Sequence, residues 1–265
     1  MDSALMPKLV CPESLSPLVP RNGKLTTEDG QHSYSLINGI PVCLYPAQPV
    51  GDDARWQSYY DWFSPFYDAS ERVLGKVITG VDVVAARSEI AAAIPACLSQ
   101  AVLEVSPGPA IYQSAIAQCV GSAGHITALD ISLGMLRQCQ HQTQQQIPQP
   151  RLVCGNAAYL PFPTHSFDGL FHFGGVNLFS DPSRALSEFA RVVKPDGWVI
   201  YGDEQFSTRW RSRNDWRAKI LRRLNPGYDL TPPDTPSSLE CLSEREVFAG
   251  LGYLRICRVI NAFHG

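Results

Sequence analysis

Ala101-Val-Leu-Glu-Val-Ser-Pro-Gly-Pro-Ala110 and Ile126-Thr-Ala-Leu-Asp-Ile131 are the two stretches on which the fold turns. Val102–Val105 and Ile126–Asp130 read as short buried strands, brief apolar runs bounded by turn residues. The first runs into a tight turn at Gly108 and then a helix over Ala110–Val120. The second closes on a carboxylate, Asp130, twenty residues after Ala110. A strand, a glycine turn, a helix and an acid closing the next strand make a nucleoside-binding βαβ unit. Gly108 lets the backbone approach a ligand closely, and Asp130 can accept from two ribose hydroxyls.

Working outward, Ser132 is a fair N-cap for a helix through Leu136 and Cys139. That helix runs out in the glutamine-rich stretch Gln138–Gln149. Arg151–Gly155 is the third strand, and Asn156 or the Ala157 N–H behind it is placed to read a base edge. Phe167–Phe173 is the fourth. Asp181-Pro182 opens a helix with proline in its first turn and Ala185, Leu186, Phe189 and Val192 on one face. Lys194-Pro195-Asp196-Gly197 stops it before a fifth strand, Trp198–Gly202. Strands alternating with helices imply a parallel sheet covered on both faces. Beyond it, residues 209–224 predict one basic helix with two tryptophans. A Pro-rich loop follows, then a helical stretch over Leu242–Gly250 and a last strand over Tyr253–Ile260.

Upstream, residues 47–56 read as a polar linker. Residues 57–75 are dense in aromatics, Tyr60 and Tyr67 among them, and about 80–99 is helix-like. Two readings stand for this region: a buried helix pair, or a lid whose Tyr and Trp rings close a planar ligand from water. Residues 8–46 look like a separate small module, with an Asn38-Gly39 hairpin signal. The expected organisation is a small module at 1–46, a linker and helical lid at 47–99, and the nucleoside-binding domain at 100–265.

A net charge of −3 argues against a generally nucleic-acid-coating surface but allows a local basic patch. Eight cysteines with no CxxC pair suit buried thiols in a reducing compartment better than a disulfide framework. With no apolar run long enough to span a bilayer and no signal pattern, the chain reads as cytoplasmic, without membrane insertion.

Asn156-Ala-Ala-Tyr-Leu-Pro-Phe-Pro-Thr-His-Ser-Phe-Asp-Gly-Leu170, with Asp181-Pro-Ser-Arg-Ala-Leu-Ser-Glu-Phe-Ala-Arg-Val-Val-Lys-Pro-Asp-Gly197, closely resembles class I S-adenosylmethionine-dependent methyltransferases of the methyltransferase-11 type. The resemblance spans about 101–204 and implies an α/β, Rossmann-like sheet with helices on both faces. It also implies S-adenosyl-L-methionine as cofactor, with Asp130 as the ribose acid and Asn156 on the adenine side. The cofactor-side candidates are Tyr67, Glu104, Ser106, Gly108, Asp130, Ile131, Met135, Asn156, Ala157, Phe173 and Gly174. The glycine loop departs from the family's three-glycine form, because Ser106 and Ala110 replace two of the glycines. The family closes its sheet with an antiparallel hairpin, for which only one convincing strand remains here.

Two further resemblances concern the flanks. Leu9-Val-Cys-Pro-Glu-Ser14 with Tyr34–Leu44 is similar to a small zinc-ribbon module, in degenerate form, since only Cys11 and His32 stand as possible ligands; no metal is assigned. Tyr60-Asp61 and Tyr67-Asp68 resemble the N-terminal cap of ubiquinone/menaquinone-biosynthesis methyltransferases. The zinc-ribbon-plus-methyltransferase layout is similar to a bacterial 23S rRNA guanine methyltransferase family.

Methyl transfer to oxygen or nitrogen releases a proton, so a base is expected at a strand end. Asp203, Glu204 and His172 are the catalytic candidates, and Tyr60, Gly175 and Asn177 the substrate-side ones. The expected acceptor is a small, partly apolar molecule. The alternatives are an RNA base methyltransferase and a non-catalytic methyltransferase-like binding protein.

Overall fold

The structure is a computed structural model; it describes residues 8–63, 77–224 and 226–260. Its centre is the βαβ unit expected at 101–131. After the helices α1 (Gly51–Phe63) and α2 (Val83–Ala91), β5 (Ala101–Val105) and β6 (His125–Asp130) pair in parallel, joined by the crossover helix α3 (Gln113–Val120). β7 (Arg151–Gly155) adds in parallel beside β6. β8 (Phe167–Phe173) and β9 (Val193–Glu204) add in parallel on the other side of β5. The order β7-β6-β5-β8-β9 therefore reverses at β5, the switch point at whose carboxyl end open α/β sheets bind ligands.

The alternation of side chains along these strands divides the core in two. Leu103, Val105, Leu170, Val199 and Tyr201 face one cluster. Val102, Phe171 and Ile200 face the other, as a period of two requires. The first side is covered by α5 (Pro182–Val192), whose Leu186 and Phe189 are fully buried. Asp181 caps that helix by accepting from the Arg184 N–H, and Pro182 stands in its first turn, as its sequence predicts. The second side is covered by α3 through Ile116 and Val120. α4 (Leu133–Gln142) is capped by Ser132, also as expected.

The C-terminus corrects the sequence reading. Residues 242–250, expected as helix, lie instead within a strand and its turn: β10 (Leu239–Val247) pairs antiparallel with β11 (Gly252–Val259), and β11 pairs antiparallel with β9. The expected missing strand is thus present. Its sequence hides it because seven consecutive residues of β10 are exposed, with no alternation to read. Charge is how an edge strand is blunted, and Glu240 and Glu244 pair with Arg258 and Arg255 across the hairpin. The basic segment is also two helices rather than one, α6 (Thr208–Arg211) and α7 (Trp216–Leu224), separated where Asp215 caps the second by accepting from the Ala218 N–H.

The first strands extend the same sheet. β1 (Leu18–Arg21), β2 (Lys24–Thr27), β3 (Ser33–Ile37) and β4 (Ile40–Cys43) form a meander. β4 then pairs in parallel with β7, giving eleven strands in one sheet. The Asn38-Gly39 turn has the two positive φ values, 51° and 81°, that such a hairpin needs. Asn22-Gly23 makes a second turn of the same kind at 50° and 74°.

Cys11 and His32 do not converge. The Cys11 thiol lies 3.2 Å from the Tyr34 hydroxyl and accepts from the Ser14 N–H, while His32 faces Glu13 at 3.4 Å. Among the described residues no three His, Cys, Asp or Glu side chains are grouped to hold a metal. The module is joined to the domain by its β4–β7 ladder and by the Val10 N–H, which donates to the Pro161 carbonyl at 3.0 Å.

Candidate active site

A cavity of about 380 Å³ opens at the carboxyl ends of the parallel strands. Ser106, Pro107 and Gly108 after β5, Asp130 and Ile131 after β6, Asn156 and Ala157 after β7, and Phe173–Gly175 after β8 line one half. Met135 of α4 closes that half from the side. The other half is apolar: Ile78, Leu221, Leu224, Tyr228, Phe248 and Leu251.

The glycine-poor loop keeps a glycine-like backbone. Ser106, Gly108 and Ala110 have φ of 56°, 53° and 68°. All three are left-handed, which costs a non-glycine residue about 1–2 kcal/mol. A Cβ built at Gly108 or at Gly174 meets nothing within 4 Å, so both backbones present open space to the cavity. That is the room a nucleoside needs against a strand-end loop.

Asp130 is buried and accepts from the Ser132 N–H at 2.9 Å. Burial pushes its carboxyl up to about 7, although the Ser132, Gly108 and Ile131 N–H groups pull it down. Glu104 lies beneath the loop and does not line the cavity. Its carboxylate accepts from the Gln113 side-chain amide, and burial pushes it up to about 8. Glu104 therefore shapes the loop from below, while Asp130 faces the ligand space.

Helix α1 (Gly51–Phe63) covers this half. It begins within the segment read as a linker. The lid reading singled out the aromatics from residue 57 on, of which Tyr59 and Tyr60 line the cavity; Trp56, from the segment read as linker, lines it beside them. What the sequence reading missed is a polar strip at 53, 57 and 61, spaced every four residues and so on one helix face. Asp53 accepts from the Asn156 side-chain amide at 3.0 Å and from the Ser180 N–H at 2.9 Å. Gln57 donates to the Ile131 carbonyl at 2.9 Å. Asp61 accepts from the Ser132 hydroxyl at 2.6 Å and the Gly134 N–H at 2.8 Å. The helix is latched to three of the loops that make the nucleoside half. The i, i+4, i+8 spacing was the available signal, obscured by the aromatic residues between.

The latch alters the expectation for Asn156. Its amide nitrogen serves Asp53 and its oxygen accepts from the Ala158 N–H. The polar edge offered to the cavity there is shared with Asp53, which also lines it. Tyr67 lies outside the described residues.

The catalytic candidates separate. Asp203 is buried, and its carboxylate accepts from the backbone N–H groups of Gly175, Asn177 and Glu204 at 2.8, 2.6 and 2.7 Å. Burial pushes it up to about 6 against those three donors. It does not line the cavity; it holds the Gly174–Asn177 loop that does. Asn177 is likewise buried, accepting from the Tyr253 hydroxyl. His172 departs furthest from expectation: it is fully buried between Phe179 and Phe189, its Nδ1 on the Val105 carbonyl, and burial pushes its pKa down to about 4. An alternating strand turns this residue into the core, away from the strand-end ligand space. Of the three, Glu204 alone lines the cavity, with Gly175 and Tyr60 from the substrate-side set.

Residues 103–201 match the family described as "Methyltransferase domain" (Methyltransf_11). Demethylmenaquinone methyltransferase of Lysinibacillus sphaericus (strain C3-41) is 39% identical over 98 residues, 37% of this chain and 42% of that one. The match thus spans under half of that relative's length. The enzyme of the same name from Renibacterium salmoninarum is 29% identical over 186 residues, covering 70% of this chain and 73% of that one. Among solved structures, phosphoethanolamine N-methyltransferase 1 of Haemonchus contortus superposes with a TM-score of 0.60 at 12% identity, over 81% of this chain and 50% of that one. The fold is that of the class I S-adenosylmethionine-dependent methyltransferases.

Proposed function

We propose that the protein transfers a methyl group from S-adenosylmethionine to a small, partly apolar acceptor. The observation that carries this is one cavity with two unlike halves, a nucleoside half at Gly108, Asp130 and Gly174 and an apolar half at Leu221, Tyr228 and Leu251. Bound there, the cofactor supplies an electrophilic methyl group on a sulfonium. Asp130 would hold the ribose hydroxyls, the Ser106–Gly108 backbone would border the aminoacyl end, and Gly174 would leave room beside the methyl. Asp53, Gln57 and Asp61 keep α1 across the site and so exclude water. Glu204 would be the acid to take the acceptor's proton; its position supports this, since it ends β9, lines the cavity and pairs with Gly252 beside Leu251 of the apolar half.

The aromatic wall of Trp56, Tyr59 and Tyr60 favours a flat acceptor. An acceptor of the demethylmenaquinone type, as in the relatives' names, fits that wall and the apolar half. Calorimetry with S-adenosylhomocysteine and transfer of labelled methyl to demethylmenaquinone analogues test the reading in turn. Binding lost in Asp130→Ala and transfer lost in Glu204→Gln, with cofactor binding kept, are the expected results. Wild-type protein that binds no S-adenosylhomocysteine would leave the fold without this activity.

A further inference from the structure

The cavity mouth is bordered by a surface that the methyl-transfer reading does not use. α7 presents Trp216, Ile220 and Leu224 to solvent, at 56%, 38% and 61% exposure. They recur every fourth residue and form one strip along the helix. The face packed inward is a different one, carrying Ala218 and Leu221. Leu224 belongs both to the strip and to the cavity lining, which makes the strip continuous with the entrance. Residues 77–80 border the same corner, where Gly80 sits beside the Arg217 guanidinium and Val77 is 64% exposed.

Cations surround this apolar strip. Residues 209–223 hold seven Lys and Arg and one Asp in a chain whose net charge is −3. Arg213 pairs with Asp215, and Arg222 with Asp229. Arg209, Arg211, Lys219 and Arg223 are exposed and make no ion pair among the described residues. A helix with an apolar strip carrying tryptophan, flanked by cations outside ion pairs, has the composition of an element lying in a lipid headgroup layer. RNA would use the cations but gives no role to Ile220 or Leu224.

We propose that the α6–α7 corner docks the protein on an anionic lipid bilayer, with the cavity mouth turned to the membrane. The strip enters the headgroup boundary and the cations meet the lipid phosphates. An acceptor dissolved in the bilayer then reaches the apolar half of the cavity without crossing water.

The inference stands apart from the methyl-transfer reading, because docking is measured without cofactor. The full chain is sedimented with vesicles of phosphatidylcholine alone, and of equal parts phosphatidylcholine and phosphatidylglycerol, at low and high salt. Binding is expected to the mixed vesicles and to weaken with salt. Each neutralised cation near the surface is worth about fivefold in partitioning, so Lys219→Glu with Arg223→Glu lowers binding at least 20-fold or so. Trp216→Ser with Ile220→Ser lowers it at both salt concentrations. Thermal unfolding of both double variants is expected to match the wild type, which shows that the loss is one of docking. Three results overturn the proposal: no binding to mixed vesicles, binding that neither double variant changes, and binding to single-stranded or duplex RNA with none to vesicles.

Discussion

Asp130 and Asp203 are the same side chain at the same kind of place, the carboxyl end of a parallel strand, each buried and each pushed up by that burial. Their surroundings assign them opposite jobs. Asp203 spends both oxygens on three backbone N–H groups and so fixes the Gly174–Asn177 loop. Asp130 also accepts from the backbone, the Ser132 N–H at 2.9 Å among its donors, yet it lines the cavity. Position in the fold offers an acid to a ligand. Backbone N–H groups hold both acids, so what decides if the offer stands is whether the carboxylate still borders the cavity, as Asp130 does and Asp203 does not.

The largest expected effect breaks the comparison on the Asp130 side. If Asp130 holds the ribose as proposed, Asp130→Ala removes two charge-assisted hydrogen bonds, together about 3 kcal/mol, and should weaken S-adenosylhomocysteine binding about 100-fold by calorimetry. The same variant should leave the loop at 174–177 in place. Next comes Asp203→Asn. An amide there turns an NH2 group against backbone donors and strands one of them, so about 2 kcal/mol of stability is expected to go, read as a lowered urea midpoint. If instead Asp203→Asn abolished cofactor binding with stability intact, the division of labour between the two acids would be wrong.

A third test compares the two acids through pH. Asp130 in the folded chain titrates near 7, above the ordinary carboxyl value of 3.8. The folded state thus holds a proton that the unfolded state has already lost, and stability of the unliganded protein falls as pH rises from about 4 to about 7. Asp203, near 6, contributes with the same sign over a window that ends lower. Cofactor affinity runs the other way, because the ionised Asp130 is the better acceptor for two hydroxyls, and it should climb as pH rises through about 7. Asp130→Asn should flatten that climb, whereas Asp203→Asn should leave it. A smaller change is expected at the latch: Asp61→Ala forfeits one charged partner of Ser132 and Gly134 and should raise the KM for cofactor by about tenfold while moving kcat less.

Much of this was readable from the residues, and the failures have physical causes. The βαβ unit, Asp130 and the α5 segment were legible because apolar periodicity, caps and turn residues agree there. β10 was not, because an exposed edge strand carries no alternation. His172 was misplaced because a strand's last residues alternate between core and ligand space, and the sequence does not say which comes first; Asn177 was misplaced because it lies in a short turn after β8, turned inward to the distant Tyr253 hydroxyl. Asp53 and Asp61 were invisible as latches because their partners lie 103 and 71 residues away in Asn156 and Ser132. Asp203 could be placed near the site but not assigned a role, since its partners are backbone N–H groups.

The smallest effect tests the loop that Asp130 closes. Ser106 and Ala110 hold left-handed φ of 56° and 68° without being glycine. Relaxing one such residue to glycine recovers about 1–2 kcal/mol of backbone strain. Against this, glycine adds freedom to the unfolded chain, worth about 0.4–1 kcal/mol. Ala110→Gly should therefore stabilise by about 0.5–1 kcal/mol, a rise of about 2–3 °C in Tm for a chain of this size. Ser106→Gly should gain less, because the serine hydroxyl lines the cavity and water or ligand can use it. An unchanged or lowered Tm in Ala110→Gly would mean that the methyl group is packed well enough to offset its backbone. The glycine-poor loop would then be a built feature of this site rather than a tolerated loss, and the binding half formed with Asp130 would be stiffer than its sequence suggests.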